Sequence, residues 1–429
     1  MSMAKQREKA EVPRLRFPEF RSMDAWRKVP LERIAERTST KNSDGRVTRV
    51  LTNSAEFGVL DQRDYFDKDI ATVGKVDGYY VVGKGDYVYN PRTSAIAPVG
   101  PISRNNIGEG VMSPLYTVFR FSEDQTDFYE HYFRSSGWHS YLRSAASTGA
   151  RHDRMSITTG AFMRMPMPVP SRNEQQKIAD CLTSLDQVIA AQGRKVEALK
   201  AHKRGLMQQL FPREGETRPR LRFPEFRDAP EWRTRRFFDL FRDVLDFRGR
   251  TPKKLGMEWG GGDIISLSAN NVKNGFIDYS AECYLASDEL HSRWMAGANL
   301  EKDDIVFTME APLGKALLIP DQRKYVLSQR VVAFKTKPDV VNAFLIQLIW
   351  SDGFQRAIDL LSTGSTAKGV SQKSLQGLVV SLPEKDEQQR IADCLSSLDT
   401  QITAETHQLA ALKTHKQGLM QQLFPAPEE

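Results

Sequence analysis

The chain has 429 residues, 40% of them hydrophobic, a formal net charge of +7 and an isoelectric point near 9.1. That length suits two or three ordinary domains with real cores, and the composition excludes a disordered or low-complexity chain. The basic balance leans toward a polyanionic partner, and no apolar run is long enough to suggest a membrane-spanning helix.

The polar start, MSMAKQREKAEV, has no apolar core of a secretory signal. Cys181, Cys283 and Cys394 form no CxxC pair, so reduced, partly buried thiols of a cytoplasmic protein are expected. Residues 1–26 read as an N-terminal arm. Within it, PRLRFPEFR at 13–21 recurs letter for letter at 219–227, and a tryptophan follows at the same distance in both, Trp26 and Trp232. Prolines and aromatics without periodicity predict an extended hydrophobic strap.

Residues 27–170 predict a small α+β domain. The expected elements are an amphipathic helix over 31–37, strands over 48–52, 79–82 and 115–121, and a helix over 127–135. Residues 171–213 then predict one long helix. Its apolar positions Ile178, Leu182, Leu185, Ile189, Val196, Leu199, Leu206 and Leu210 alternate in steps of four and three, the seam of a coiled coil. Gln192 and Lys203 interrupt that seam, and the lysine either fixes register or merely extends to solvent.

Residues 214–233 repeat the arm, and 234–383 predict a second α+β domain with a helix over 341–354. Residues 384–429 repeat the helix. Over 39 positions at a constant offset of 213, 26 residues are identical, including EQQ, KxHK and QQLFP. Its seam is Ile391, Leu395, Leu398, Ile402, Leu409 and Leu412, with Glu405 and Lys416 at the polar breaks. Gly205 and Gly418 are the weak points, there for close helix approach or as signs of fraying. Two near-identical helices most simply pair with each other. The expected architecture is therefore α+β: two small α+β domains separated by two long helices in an antiparallel coiled coil, with pseudo-two-fold symmetry. Each seam from Ile178 to Leu210 would span about 48 Å.

Both domains share an order of motifs: a GD or DD strand, a polar loop, a strand, a helix, a Ser-Thr-Gly loop and a proline exit. Residues suited to DNA gather in the loops. In the first domain these are Asn90, Arg92, Thr93 and Ser94, then Arg104, Asn105 and Asn106, then Arg151, His152 and Arg154. In the second they are Arg248, Arg250 and Lys253, then Asn270, Asn271, Lys273 and Asn274. Further along come Lys315, Gln329 and Arg330, then Lys368, Gln372 and Lys373. Arginine reads guanine edges, asparagine and glutamine read adenine edges, and lysine or arginine holds phosphates.

A search for catalytic machinery finds none. Asn90-Pro91 lacks the second proline and aromatic of an adenine-methyltransferase tetrapeptide, and no Gly-rich cofactor loop follows a strand. Gly314-Lys315 lacks the rest of a phosphate loop. The seven histidines make no metal-ligand spacing, so no metal or cofactor is expected on this chain.

Taken together, the two EQQ[KR]IADCL…HKxGLMQQLFP helices, the PRLRFPEFR repeats, GDYVYNP, DDIVFTMEAPLG and SLPEKDEQQ resemble the DNA-specificity subunit of type I restriction–modification enzymes. The resemblance spans essentially the whole chain. It implies two target-recognition domains, each reading one half of a split, asymmetric site in double-stranded DNA. It implies helices that set the half-site spacing and dock two modification subunits, which carry S-adenosylmethionine and methylate adenine. Restriction subunits using ATP and Mg would complete the enzyme, and this chain would be non-catalytic. The alternative is a self-contained DNA adenine methyltransferase or nuclease fused to its own reader, for which no cofactor loop or tetrapeptide is found.

Overall fold

The computed structural model describes residues 12–65, 76–123, 127–146, 153–364 and 368–425. It forms two compact units: 1–193 with 408–429, and 194–407. The division falls inside both long helices, so each unit owns the start of one helix, the end of the other and one α+β domain.

In the first unit a four-stranded antiparallel sheet runs in the order Ala35–Thr38, Thr117–Phe121, Tyr87–Tyr89, Ile102–Arg104. Two strand pairs flank it, Leu51–Ser54 with Gly58–Asp61 and Tyr80–Val82 with Gly110–Met112. The domain is closed where its first strand, Arg27–Pro30, pairs antiparallel with its last, Pro166–Val169. Behind the sheet lies an aromatic core: Tyr87 stacks on Phe119, and Phe121 on Tyr129.

The second unit repeats this plan with different residues. Its antiparallel sheet runs Phe241–Leu245, Val331–Thr336, Ile305–Thr308, Ala316–Leu318, and Arg233–Arg236 pairs with Val379–Leu382 to close the domain. It adds a three-stranded sheet, Leu285–Ala286, Ile264–Leu267, Tyr325–Leu327, and a hairpin of Val272–Lys273 with Phe276–Ile277. The repeated Asp of the GD and DD motifs is buried in both units. Asp86 takes Arg120 from the neighbouring strand at 2.6 Å, and Asp304 takes Lys335 at 2.9 Å.

The long helices run Arg172–Leu210 and Lys385–Leu423 without interruption. Every seam position is buried or half-buried, and most of the remaining surface is exposed. In the second unit Lys195 meets Glu405 and Lys203 meets Asp399, both at 2.6 Å. As numbering rises on one helix it falls on the other, so the pair is antiparallel. In the first unit Lys416 meets Asp186 at 2.5 Å. The lysines that break the seam thus pair with the repeated Leu-Asp of the opposite helix rather than extending to solvent. Among the described residues, nothing beyond the adjoining turns of the same helix lies within 4 Å of where a Cβ would sit at Gly205 or Gly418, and the helix continues past both. Neither close approach nor fraying accounts for them.

The strap is more than hydrophobic. Arg16 holds Glu174 through two hydrogen bonds of 2.7 and 2.8 Å from Nε and Nη2; Nη1 donates to the carbonyl of Met23, and Nη2 also to that of Asp24. Arg222 repeats this on Glu387, Ala229 and Pro230. Both pairs are buried. Outside them, Glu19 with Lys177 and Glu225 with Arg390 form exposed copies. Each strap also reaches the end of the other helix: Leu15 N–H donates to Gln422 O in the first unit and Leu221 N–H to Gln209 O in the second, both at 2.9 Å. Helix ends Leu423-Phe424 and Leu210-Phe211 are buried there, in the same cores as Trp26 and Trp232 respectively.

Two expected helices are corrected. Residues 31–37 form a single 3-10 turn, Leu31–Arg33, followed by the strand Ala35–Thr38. Apolar spacing suited a helix, but pairing with Thr117–Phe121 prevails. Residues 341–354 form two helices, Asn342–Trp350 and Asp352–Leu361, broken at Ser351, whose hydroxyl caps the second by accepting from Phe354 N–H. Cys181 and Cys394 are half-buried on the long helices, whereas Cys283 lies in a loop.

Candidate nucleic-acid interface

In the first unit, the inner strand Tyr87–Tyr89 ends in a turn set by Asn90. Its side-chain oxygen accepts from Arg92 N–H at 3.0 Å while its amide donates to Asn53 O at 2.9 Å. The next residues run alongside the segment before the exit. Thr93 N–H donates to Asp153 O, Met155 N–H donates to Pro91 O, and Arg92 lies opposite Arg154. Arg92, Thr93, Ser94 and Arg154 therefore form one patch, with Arg92 and Ser94 exposed. Arg151 and His152 lie outside the described residues.

The other group of that domain is partly committed to the fold. Arg104 is held by Asp127 at 2.5 Å, and Asn106 reaches the Glu130 carboxylate at 3.3 Å. Asn105 is fully buried, its amide donating to Gly83 and Gly108 carbonyls. That burial removes Asn105 from the interface; it is a loop-shaping residue.

The second unit has the same arrangement after its inner strand Ile305–Thr308. Met309 N–H donates to Arg330 O, Val370 N–H to Met309 O and Ala311 N–H to Lys368 O. Arg330 and Lys368 are thus brought to one loop, both exposed. Arg330 has a φ of +67°, a left-handed turn between strands that holds its side chain outward beside exposed Gln329. Lys368 is partnered by Asp359 at 2.6 Å. Nearby, Asn274 Oδ1 accepts from Ala316 N–H at 3.2 Å, which sets the Lys273–Asn274 turn beside half-buried Lys315.

A second group gathers at Asp246, which binds Arg248 at 2.6 Å and Gln372 at 2.8 Å. Arg250 lies over the Phe247 ring and donates to Trp294 O. These three are spent on their own domain, while neighbours Lys253 and Lys373, together with Asn270 farther off, are exposed. Asn271 is fully buried, bridging Ser268 N–H and Ser266 O, and is corrected to a structural residue like Asn105.

The residues that sequence reasoning missed are Arg16, Arg222, Glu174 and Glu387, which tie each strap to a helix. All four stand within letter-for-letter repeats, and that was the available signal. Among the described residues no cluster of His, Cys, Asp and Glu could hold a metal ion, and no helix is long and apolar enough to cross a membrane.

Residues 230–414 match the family described as type I restriction modification DNA specificity domain. The type I restriction enzyme MjaVIII specificity subunit of Methanocaldococcus jannaschii is 25% identical over 293 residues, 66% of this chain and 66% of that protein. The putative type I restriction enzyme MjaX specificity subunit of the same organism is 22% identical over 280 residues, 63% of this chain and 61% of that protein. The chain thus spans just under two thirds of these curated relatives. Among solved structures, the S subunit of a type I restriction-modification system from M. genitalium has a TM-score of 0.55 at 12% identity, covering 97% of this chain and 100% of that one. A chain from a structure titled for complex assembly and conformational transition of the type I R-M system has a TM-score of 0.56 at 14% identity, covering 93% and 97%. These likenesses are of fold.

Proposed function

We propose that this chain, which belongs to the DNA-specificity family of type I restriction–modification systems, is the sequence-reading subunit of such an enzyme. Each α+β domain reads one half of a bipartite, asymmetric site in double-stranded DNA. The long helices set the half-site spacing and dock two modification subunits; restriction subunits join them. S-adenosylmethionine, ATP and Mg act on those partners, and this chain supplies recognition without catalysis.

One observation carries the reading: two domains with the same sheet order and the same closing strand pair bear unlike polar loops at the same place. A shared scaffold with divergent loops is what two different half-sites require. Arg92, Thr93, Ser94 and Arg154 are the contacts proposed for the first half-site. Lys315, Gln329, Arg330 and Lys368 are those for the second, with Lys253, Asn270, Lys273, Asn274 and Lys373 as flanking contacts.

The test is methylation mapping of DNA from cells with and without this chain, alongside its modification subunits. A bipartite adenine-methylation pattern that depends on the chain is expected. The purified chain alone should transfer no methyl group. DNA binding by the assembled complex should weaken steeply with salt, as counterion release demands. Methyl transfer by the chain alone, or a salt-independent complex, overturns the proposal.

A further inference from the structure

The chain has 22 phenylalanines. Among the described residues only two are exposed, Phe57 at 65% and Phe276 at 58%. Single exposed apolar residues are ordinary, but these two share a position. There is one in each domain, on a two-stranded hairpin, beside a left-handed glycine: Gly58 at φ +70° and Gly275 at φ +85°. The inward face of each hairpin is already filled, by Leu51 and Val59 in one and by Val272 and Ile277 in the other. The outward rings therefore add nothing to either core.

Each hairpin also leans on the proposed DNA loop of its domain. In the first, Asn53 donates to Val88 O at 2.7 Å and its own carbonyl accepts from Asn90, the residue that turns the chain toward Arg92. In the second, Asn274 and Gly275 bond both backbone groups of Ala316, next to Lys315, and Phe276 pairs across the hairpin with Lys273. An aromatic ring exposed on a hairpin, at the turn for Phe57 and on the strand for Phe276, whose backbone is bonded to the loop bearing the proposed contacts, has the chemistry for apolar contact with bases, either against a thymine methyl or as a wedge at a base step.

We propose that Phe57 and Phe276 are specificity-determining residues, each making an apolar contact with base pairs of the half-site its own domain reads. This rests on the function proposed above. The contact supplies discrimination that the hydrogen-bonding loops do not, and its strength matches other ring–base contacts, so losing a ring costs about tenfold or more in methylation at the affected site.

The experiment uses the full chain with its modification subunits. Methylation is mapped genome-wide for wild type, Phe57→Ala and Phe276→Ala, with Leu115→Ala and Leu360→Ala as exposed apolar controls. Each phenylalanine variant should lose occupancy and relax base preference in one half-site only, a different half for each, while the controls match wild type. On the mapped site, uracil in place of thymine and 2-aminopurine at the affected step separate methyl contact from unstacking. Unchanged rate and preference in both phenylalanine variants overturns the inference. So does loss of modification subunits from a folded variant, which would make the ring a protein contact. A wild-type chain that directs no site-confined methylation defeats the functional reading itself.

Discussion

A buried guanidinium facing a buried carboxylate gains little over an apolar pair, but removing one partner strands a charge, at about 3–5 kcal/mol. Arg16→Ala and Glu387→Gln should each lower stability by about that much, read as a drop in the urea midpoint. Arg390→Ala, at an exposed pair, should change it by about 1 kcal/mol or less. His131 offers a second test. It is buried with Nε2 against Thr183 Oγ1 at 3.0 Å and Nδ1 4.0 Å from Asp186. Burial foremost, then Lys416 and Arg134, outweighs Asp186 and Asp127 and pushes it down to about 4. The unfolded chain therefore binds more protons between roughly pH 4 and 6.5, so stability falls as pH drops through that window. The loss from pH 7 to 5 is on the order of 1–2 kcal/mol, and His131→Gln should flatten it. The partners in these pairs were not legible in the sequence. Arg16 and Glu174 stand 158 positions apart, and a repeat marks residues without saying what they touch.

At the scale of elements, the long helices were legible because apolar spacing needs no partner to be seen. The role of Lys203 and Lys416 was not, because it depends on which way the second helix runs. A double-mutant cycle on Lys203 and Asp399 should return a favourable coupling of about 0.5–3 kcal/mol, and independence of the two sites would contradict the pairing. Gly205→Ala and Gly418→Ala meet open space and should each stabilise by about 1 kcal/mol, measured as a rise in Tm. Short elements misled for a related reason. Leu31, Ile34 and Ala35 have helical spacing, yet the strand Ala35–Thr38 gains a full ladder with Thr117–Phe121. Ser351 divides the expected 341–354 helix by capping its second part, a local choice that an apolar run hides.

For the whole molecule, each domain begins and ends on one strand pair, Arg27–Pro30 with Pro166–Val169 and Arg233–Arg236 with Val379–Leu382. Exchanging residues 31–165 for the same span of a relative leaves that frame intact. Under the function proposed above, the hybrid should fold and change one half of the methylated site; a change in both halves would refute independent reading. The division into two like halves was legible from the repeats alone. The loops were not, since Asn105 and Asn271 look like base readers in sequence and are buried in fact.

The reciprocal hold of each strap on the far helix has one more consequence. Gln209 and Leu221 are hydrogen-bonded and joined by a short covalent bridge; Gln422 and Leu15 are hydrogen-bonded in the same way without one. A circular permutant, opened between 213 and 217 and sealed from the Gln422 side to the Leu15 side by a bridge of equal length, should recover the native contacts. Which half is translated first is then immaterial to the finished molecule.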